Sequence, residues 1–433
     1  MKVYLITFGC KVNLCETEAL KTELLSSGFE ITEDETNANI FIVNSCTVTA
    51  ISDKKTRQTL NSLKKKYPYA VIVLTGCYPQ AFKEQANKIQ SVDIVTGTKD
   101  RKSIIRLIEE YLTNNNKIVS IEDYFTNDKF EVTKIGEFQS KTRGFVKIQD
   151  GCNRFCTYCI IPYARGRLRS KPLIDVKKEV ESLVSSGHKE IVLVGINLMF
   201  YGVEYNIRLI DVIETCANIK GVERIRLGSL EPEVITDDDL VRLSKVEQFC
   251  PQFHLSLQSG CDKTLHDMNR AYTSSEYYNL VTKIRNIFPN SAITTDVMVG
   301  FPNETQEDFK QSLEFVKKIG FAKIHIFPYS RRSGTPADKM KNQLTRTEKQ
   351  ERVKQMAIVG NESQKEFLKS QVGKVVSVLF ERENEDDFHH GYTPNYTVVK
   401  VPRENNEKSL RKSILYVKIE GYKDDYCIGS IVE

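Results

Sequence analysis

The sequence predicts an α/β protein in three parts: an N-terminal doubly wound parallel-sheet domain, a central partial (βα)6 TIM-type barrel and a small all-β barrel at the C-terminal end. Three observations predict it. Near the N-terminus, short apolar runs alternate with helical patterns, and each run closes on a small residue followed by cysteine. From Gly144, strand-like runs recur about every 40 residues with helical patterns between them. Beyond residue 371, strand-like segments follow one another through turn-rich connections with no helical pattern.

In chain order, KVYLITFGC, NIFIVNSC and AVIVLTGC read as buried parallel strands, separated by the helical ETEALKTELLSSG and a basic helix. They define a domain over residues 1–113. Residues 114–137 begin NNNK and hold few large apolar clusters, so a linker is expected there. Residues 138–368 carry FVKIQ, EIVLVG, RIRLGS, FHLSLQ, AITTDVMVG and KIHIFPYS, one strand for each unit of an open barrel whose chemistry belongs at the carboxyl ends of the strands. A charge-rich helical stretch over 343–370 leads into 371–433, where VGKVVSVLFE, NYTVVKV and SILYVKIEGY alternate as strands of the small barrel do.

A chain of 433 residues has room for more than one core. No apolar run approaches the roughly 20 residues of a membrane helix, and MKVYLITFGCKVN alternates like a strand instead of forming a leader; cytoplasmic residence and no membrane partner are expected. A net charge of +5 permits a nucleic-acid partner without requiring one. Eleven cysteines in such a chain suit reduced thiols used as metal ligands more than a disulfide framework.

The sharpest signal is Cys152-Asn-Arg-Phe-Cys156-Thr-Tyr-Cys159, directly after the first barrel strand. Three thiolates so spaced on one loop can ligate three irons of a 4Fe-4S cluster and leave the fourth iron open. Zinc is the alternative, but it wants a fourth protein ligand, and neither cysteine nor histidine follows within about 25 residues. Cys10, Cys46 and Cys77 form a second set. Each follows a candidate strand, so all three should emerge at the carboxyl edge of one sheet, where open α/β folds place ligands. A second cluster is the functional reading, and buried structural thiols are the alternative. Cys15 reads as a bystander, and Cys216, Cys250, Cys261 and Cys427 as buried thiols. The six histidines suggest no catalysis.

The CxxxCxxC loop, with Tyr158 before its last cysteine, resembles the radical S-adenosylmethionine (SAM) superfamily. CNRFCTYCIIPYARGRLRS, HLSLQSG, DVMVGFPNET and FPYSRRSGTPA, behind a three-cysteine domain and ahead of a β-barrel, resemble the methylthiotransferases across essentially the whole chain. The resemblance implies that the last domain is a TRAM module recognising the macromolecular substrate, and that SAM binds the open iron on Cys152, Cys156 and Cys159 and is split to a 5′-deoxyadenosyl radical. A second SAM would methylate sulfur held at the auxiliary cluster on Cys10, Cys46 and Cys77, and the radical would take hydrogen from adenine C2 of a transfer RNA. TFGCKVNLCETEA, SCTVT, GSLEP and GYTPNYTVV look like the branch acting on threonylcarbamoyladenosine in the anticodon loop. The other branches act on isopentenyladenosine in tRNA and on an aspartate of a ribosomal protein. An electron donor and a sulfur source are further implied partners. The rival outside this chemistry is an iron-sulfur electron carrier or sensor that binds RNA.

Barrel geometry places candidate SAM contacts at strand ends: Asn197, Ser229, Gln258 and Asp296, with Tyr158 beside the cluster. Arg165 is a candidate to grip a carboxylate or phosphate through its planar fork. Eight Lys or Arg against Asp150 alone between Lys141 and Lys171, and six basic residues with no acid between Lys54 and Lys66, suggest a path for a phosphate backbone. Tyr392, Tyr396 and Phe388 would stack on RNA bases or support their own loop.

Overall fold

Every residue of Ile40–Ser45 and Val71–Gly76 is buried, as expected of strands covered on both faces. With β1 (Lys2–Thr7), β2 (Glu30–Ile31), β5 (Ile94–Thr96) and β6 (Ile118–Ser120), these two, β3 and β4, build a six-stranded parallel sheet in the order β2-β1-β3-β4-β5-β6. The computed structural model describes residues 1–125, 128–132, 141–382, 387–403 and 408–432. Strand alternation divides the side chains between two cores. Ile40 and Ile42 pack with helices α1 (Lys11–Ser26) and α5 (Ser103–Asn114), whereas Phe41 and Val43 face α2 (Ala50–Lys66), α3 (Cys77–Ala81) and α4 (Lys83–Asn87).

One boundary is corrected. The stretch 114–137 was expected to be a linker, but its Ile118–Ser120 pairs with β5 and finishes the sheet. A three-residue edge strand, none of it buried, has too little apolar pattern to stand out from a connection. The end of that stretch, 133–137, lies outside the described residues.

The central domain is an arc of parallel strands in two sheets. β7 (Gly144–Lys147), β10 (Glu190–Val194) and β11 (Arg224–Leu227) form one. β12 (Ser229–Leu230), β13 (Gln252–Leu255), β14 (Ala292–Val299) and β15 (Lys323–Pro328) form the other. An isolated bridge from Ile225 of β11 to Phe249 links the first sheet to the segment leading into β13. All six expected strands are present. A short antiparallel pair, β8 (Gln149–Asp150) with β9 (Arg169–Ser170), closes the loop that carries Cys152. The helix Arg346–Lys369, opened by a Thr345–Glu348 capping box, runs from this arc to the last domain. There β16 (Val375–Phe380), β17 (Phe388–Tyr392), β18 (Val398–Pro402), β19 (Ile414–Lys423) and β20 (Tyr426–Ile431) close into a barrel around Val378, Phe380, Val399, Val417 and Cys427.

The GYTPNY segment docks this barrel onto the central arc. Tyr392 and Tyr396 stack with centroids 4.6 Å apart, and the Arg143 guanidinium lies 4.9 Å and 5.2 Å from their centroids. Arg143 donates to the Tyr396 hydroxyl at 2.9 Å, and Arg226 covers the same ring at 4.5 Å. Arg226 also donates to the carbonyls of Pro394 and Thr393. Of the two roles expected for these tyrosines, support of their own loop and seam is the one the contacts display. Tyr396→Ala removes a cation–π pair and a charged hydrogen bond, so it is expected to loosen the seam by about 1 to 3 kcal/mol. Scanning calorimetry would show a C-terminal transition moving to lower temperature away from the rest.

Two thiol triads at a domain boundary

Cys10, Cys46 and Cys77 stand at the carboxyl ends of β1, β3 and β4, which are neighbours in the sheet. The glycines before Cys10 and Cys77 have a steric reason. Gly9 has φ +110°, and a Cβ there would lie 2.8 Å from Cys46 Cβ and 3.2 Å from its Sγ. Gly76 has φ +99°, and a Cβ would come within 2.5 Å of the Ser45 carbonyl oxygen. Ser45 donates its hydroxyl to the Thr75 carbonyl at 2.6 Å, which ties the second strand end to the third. Cys10 is exposed, while Cys46 and Cys77 are buried. Burial raises the Cys46 thiol and pushes Cys77 up to about 12; the Arg165 charge works against this at Cys77, and the other two thiols of the set add to it.

The second triad sits on the loop after β8. Gly151, at φ +71°, allows the backbone to pass the Arg167 carbonyl, which a Cβ would meet at 1.9 Å. Thr157 anchors the loop by donating its hydroxyl to the Asp267 carbonyl and its N–H to the Met268 carbonyl. Three donors face sulfur: Asn197 Nδ2 lies 3.5 Å from Cys152 Sγ, the Arg154 N–H 3.4 Å from the same atom, and Arg270 Nη1 3.4 Å from Cys156 Sγ. Burial drives Cys159 to about 12, with the Cys156 and Cys152 thiols contributing. Among the described residues, no three histidine, cysteine or carboxylate groups come close enough together to hold a single metal ion. A tetrahedral zinc site needs its sulfurs about 3.8 Å apart, from its 2.3 Å bonds. A cluster takes one thiolate on each of several irons and suits a wider set.

The sequence-predicted residues divide by place. Asn197 is buried after β10 against Cys152, and its Oδ1 has no partner among the described residues. Tyr158 packs edge-on to Phe301. Ser229 is exposed at the start of β12. Gln258 adopts φ +65° just past β13 and bridges to Val297. Asp296 is corrected: it was expected at a strand end, but it is the fifth residue of β14, pairing with His254 at 3.3 Å and opposite His325 in register. The run AITTDVMVG gives no hint of how far into the arc its one acid falls. Burial lowers His325, and Asp296 partly offsets it.

Arg165 grips carboxylates of the protein itself. Fully buried, it donates to Glu16 at 2.7 Å and 3.0 Å, to Asp150 at 3.1 Å, to Asn13 Oδ1 at 2.6 Å and to Cys77 Sγ at 3.2 Å. Lys147 and Arg101 complete the cage around Glu16. Burial alone would raise the Glu16 carboxyl, yet Arg101, Arg165 and Lys147 outweigh it and hold it at about 2. Asp150 is held well below its ordinary value, because Lys147, Arg165 and Arg169 prevail over burial. The basic stretch Lys141–Lys171 is therefore corrected from a phosphate path to an internal ion network: Lys147, Arg165, Arg169 and Lys171 are all buried, and only Lys141 and Arg167 are exposed. On α2, Lys54, Lys55, Lys65 and Lys66 do face solvent.

Glu16, Asp150, Arg270 and Lys11 went unmarked by sequence reasoning. For Glu16 and Arg270 the partners lie far along the chain, 131 residues apart for Glu16 and Lys147 and 114 for Arg270 and Cys156.

Comparison with known proteins places this geometry. Residues 2–97 match the family described as "Uncharacterized protein family UPF0004", and residues 146–316 match the radical SAM superfamily. The threonylcarbamoyladenosine tRNA methylthiotransferase MtaB of Bacillus subtilis is 37% identical over 95% of this chain and 92% of its own. The chain belongs to the radical SAM methylthiotransferase family. The methylthiotransferase is also 37% identical to MtaB of Aquifex aeolicus over its full length, and to 99% of that protein. It is 36% identical to the tRNA-2-methylthio-N(6)-dimethylallyladenosine synthase of Clostridium tetani over 89% of this chain and 86% of that one. In fold it is similar to the radical SAM methyltransferase TsrM of Kitasatospora setae, at a TM-score of 0.57 and 14% identity over 78% of this chain and 76% of that one. No helix among the described residues is long and apolar enough to cross a membrane.

Proposed function

We propose that this methylthiotransferase converts N6-threonylcarbamoyladenosine beside the tRNA anticodon to its 2-methylthio derivative, using one SAM as methyl donor and another as radical source. The observation that carries the reading is the joining of the two thiol triads. A five-residue helix, Ile161–Arg165, leads from the CxxxCxxC loop to Arg165, whose Nε reaches Cys77 Sγ at 3.2 Å. The segment that follows the CxxxCxxC loop is thereby tied to the third cysteine of the N-terminal set across one domain boundary, which supports a radical centre and a sulfur-bearing centre working together.

In this reading Cys152, Cys156 and Cys159 hold one 4Fe-4S cluster, and Cys10, Cys46 and Cys77 hold a second. When bound, the first cluster and SAM supply the one-electron chemistry that an adenine C–H bond, too strong and too weakly acidic for proton abstraction, requires. The chain's own part is to orient and to tune. Asn197 and Arg270 direct N–H groups at Cys152 and Cys156, and Arg165 does so at Cys77, donors that would draw charge off the ligand sulfurs. Half-buried Glu231 keeps the Arg270 guanidinium in place. Cys10 faces solvent, leaving that side of the auxiliary site open to a sulfur source and to the target base. The exposed lysines of α2 fit a phosphate backbone led past that opening. An electron donor completes the requirements, and a tRNA substrate sets the reaction in the cytoplasm.

The 36% identity to a dimethylallyladenosine synthase favours a second reading, with that nucleoside as substrate. Mass spectrometry of tRNA nucleosides from a deletion strain separates them. Loss of 2-methylthio-threonylcarbamoyladenosine is expected; loss of the dimethylallyl counterpart would support the second reading, and persistence of both would refute the two together.

A further inference from the structure

Lys11 is the residue next to Cys10 and the first of α1, and its side chain is exposed. Its ammonium stands where the three domains meet, within electrostatic reach of Tyr396 from the C-terminal barrel and of Arg143, Arg226 and Glu190 from the central arc. His325 of β15 lies within reach of Lys11 as well.

The charges around it do not balance. Arg226 holds Glu190 at 2.7 Å, with Arg224 at 3.6 Å from the same carboxylate. Arg143 holds Glu381 at 2.9 Å, and Asp296 is occupied by His254. Arg224 donates its remaining N–H groups to the Tyr392 carbonyl and to Ser377, and Arg226 to carbonyls of the docked loop. Four cations, Lys11, Arg143, Arg224 and Arg226, thus face three carboxylates, and among the described residues Lys11 is the one of the four with neither an ion pair nor a hydrogen bond. The surplus field is strong enough to lower the Tyr396 hydroxyl against the effect of its burial, through Arg143, Lys11 and Arg226. A free ammonium on a flexible stem in such a field is suited to an incoming anion beside the target base.

The two nucleosides named for the relatives differ in that respect. A threonylcarbamoyl arm on N6 ends in a carboxylate, and a dimethylallyl arm is a neutral hydrocarbon. We propose that Lys11 binds the carboxylate of the amino-acid arm on the substrate adenosine and so selects which N6-modified adenosine is accepted. The inference rests on the reading of the substrate given above and assigns one residue of this chain to its recognition.

The test uses the complete enzyme with its clusters, prepared without oxygen, and an anticodon stem-loop RNA carrying either threonylcarbamoyladenosine or the same nucleoside with its carboxylate converted to the methyl amide. Wild type is expected to bind the acid about 10- to 100-fold more tightly than the amide, as a charge-assisted hydrogen bond implies. Lys11→Gln should bind the two alike, at the affinity wild type has for the amide, and Lys11→Arg should restore the preference. Equal binding of acid and amide by wild type overturns the inference with no variant needed. So does a Lys11→Gln protein that keeps the preference, or one that binds acid, amide and a dimethylallyl stem-loop all more weakly by one common factor, since that is the mark of a phosphate contact. The substrate reading fails separately, if wild type discriminates acid from amide but leaves the acid-bearing RNA without a methylthio group.

Discussion

Replacing Cys46 with alanine is expected to halve the iron of protein purified without oxygen, from about eight to about four atoms per chain. It should abolish methylthio transfer and leave reductive cleavage of SAM in place. The selectivity follows from position. Cys46 is packed against Gly9 at the end of β3, in the core of the N-terminal sheet, and none of the donors to Cys152 or Cys156 touches it. Losing one Sγ leaves two thiolates for a cluster that needs three, while removing a single atom from a well-packed site keeps the sheet intact. Cys156→Ala should show the complementary result, with 5′-deoxyadenosine formation lost and about four irons retained. Iron and sulfide assays, electron paramagnetic resonance and chromatography of the SAM cleavage product read these outcomes. A Cys46→Ala protein that loses both centres, or neither, would contradict the division of the six cysteines into two sets.

The positions of the six cysteines, three at strand ends and three on one loop, were legible because the signals are local. Three residues on one loop carry their spacing in the sequence, and a strand that ends in a small residue and cysteine announces both the strand and the place of the thiol. The parallel order of β1, β3 and β4 then needs only the rule that open α/β sheets gather ligands at the carboxyl edge. The six central strands were legible for the same reason: each is a short run bearing apolar residues, recurring about every 40 residues between helical patterns.

Pairings over distance were not legible. Asp296 faces His325 and pairs with His254 only because β13, β14 and β15 meet in one register, which no single run reveals. Lys147 and Arg165 read as a basic surface because Glu16 is folded in from the first helix, and the one acid of their own stretch, Asp150, gives no sign that it turns inward to meet Lys147, Arg165 and Arg169. Tyr396 was recognisable as an aromatic near a turn, but its engagement by Arg143 spans 253 residues. A charge count along the chain records sign and omits the partner, and the partner decides whether a cation meets solvent or core.

Arg165 carries the largest expected effect on stability. Its guanidinium has no exposed surface and joins Glu16 and Asn13 of the first domain to Asp150 of the second. Arg165→Met keeps much of the volume and removes the charge, leaving two buried carboxylates short of a partner, at a cost of about 3 to 5 kcal/mol. Chemical denaturation of wild type and variant measures it, and a change under about 1 kcal/mol would show that Lys147 and Arg101 suffice for Glu16. The pH dependence has a definite sign. Glu16 and Asp150 are depressed in the folded protein, Glu16 to about 2, so their contribution is complete above the unfolded carboxylate values near 4 and disappears as pH falls toward the folded ones. In wild type the stability lost between about pH 5 and pH 2 should therefore be large. In Arg165→Met both carboxyls move upward, less of that stability exists to be lost, and the profile should flatten across the same window. Arg165→Lys distinguishes charge from geometry: one ammonium can meet a carboxylate but cannot also serve Asn13 and Cys77, so it should recover part of the stability and leave the sulfur without its donor. The reduction potential of the cluster proposed on Cys10, Cys46 and Cys77 would then stay displaced in the lysine variant even where the unfolding curve has returned toward wild type.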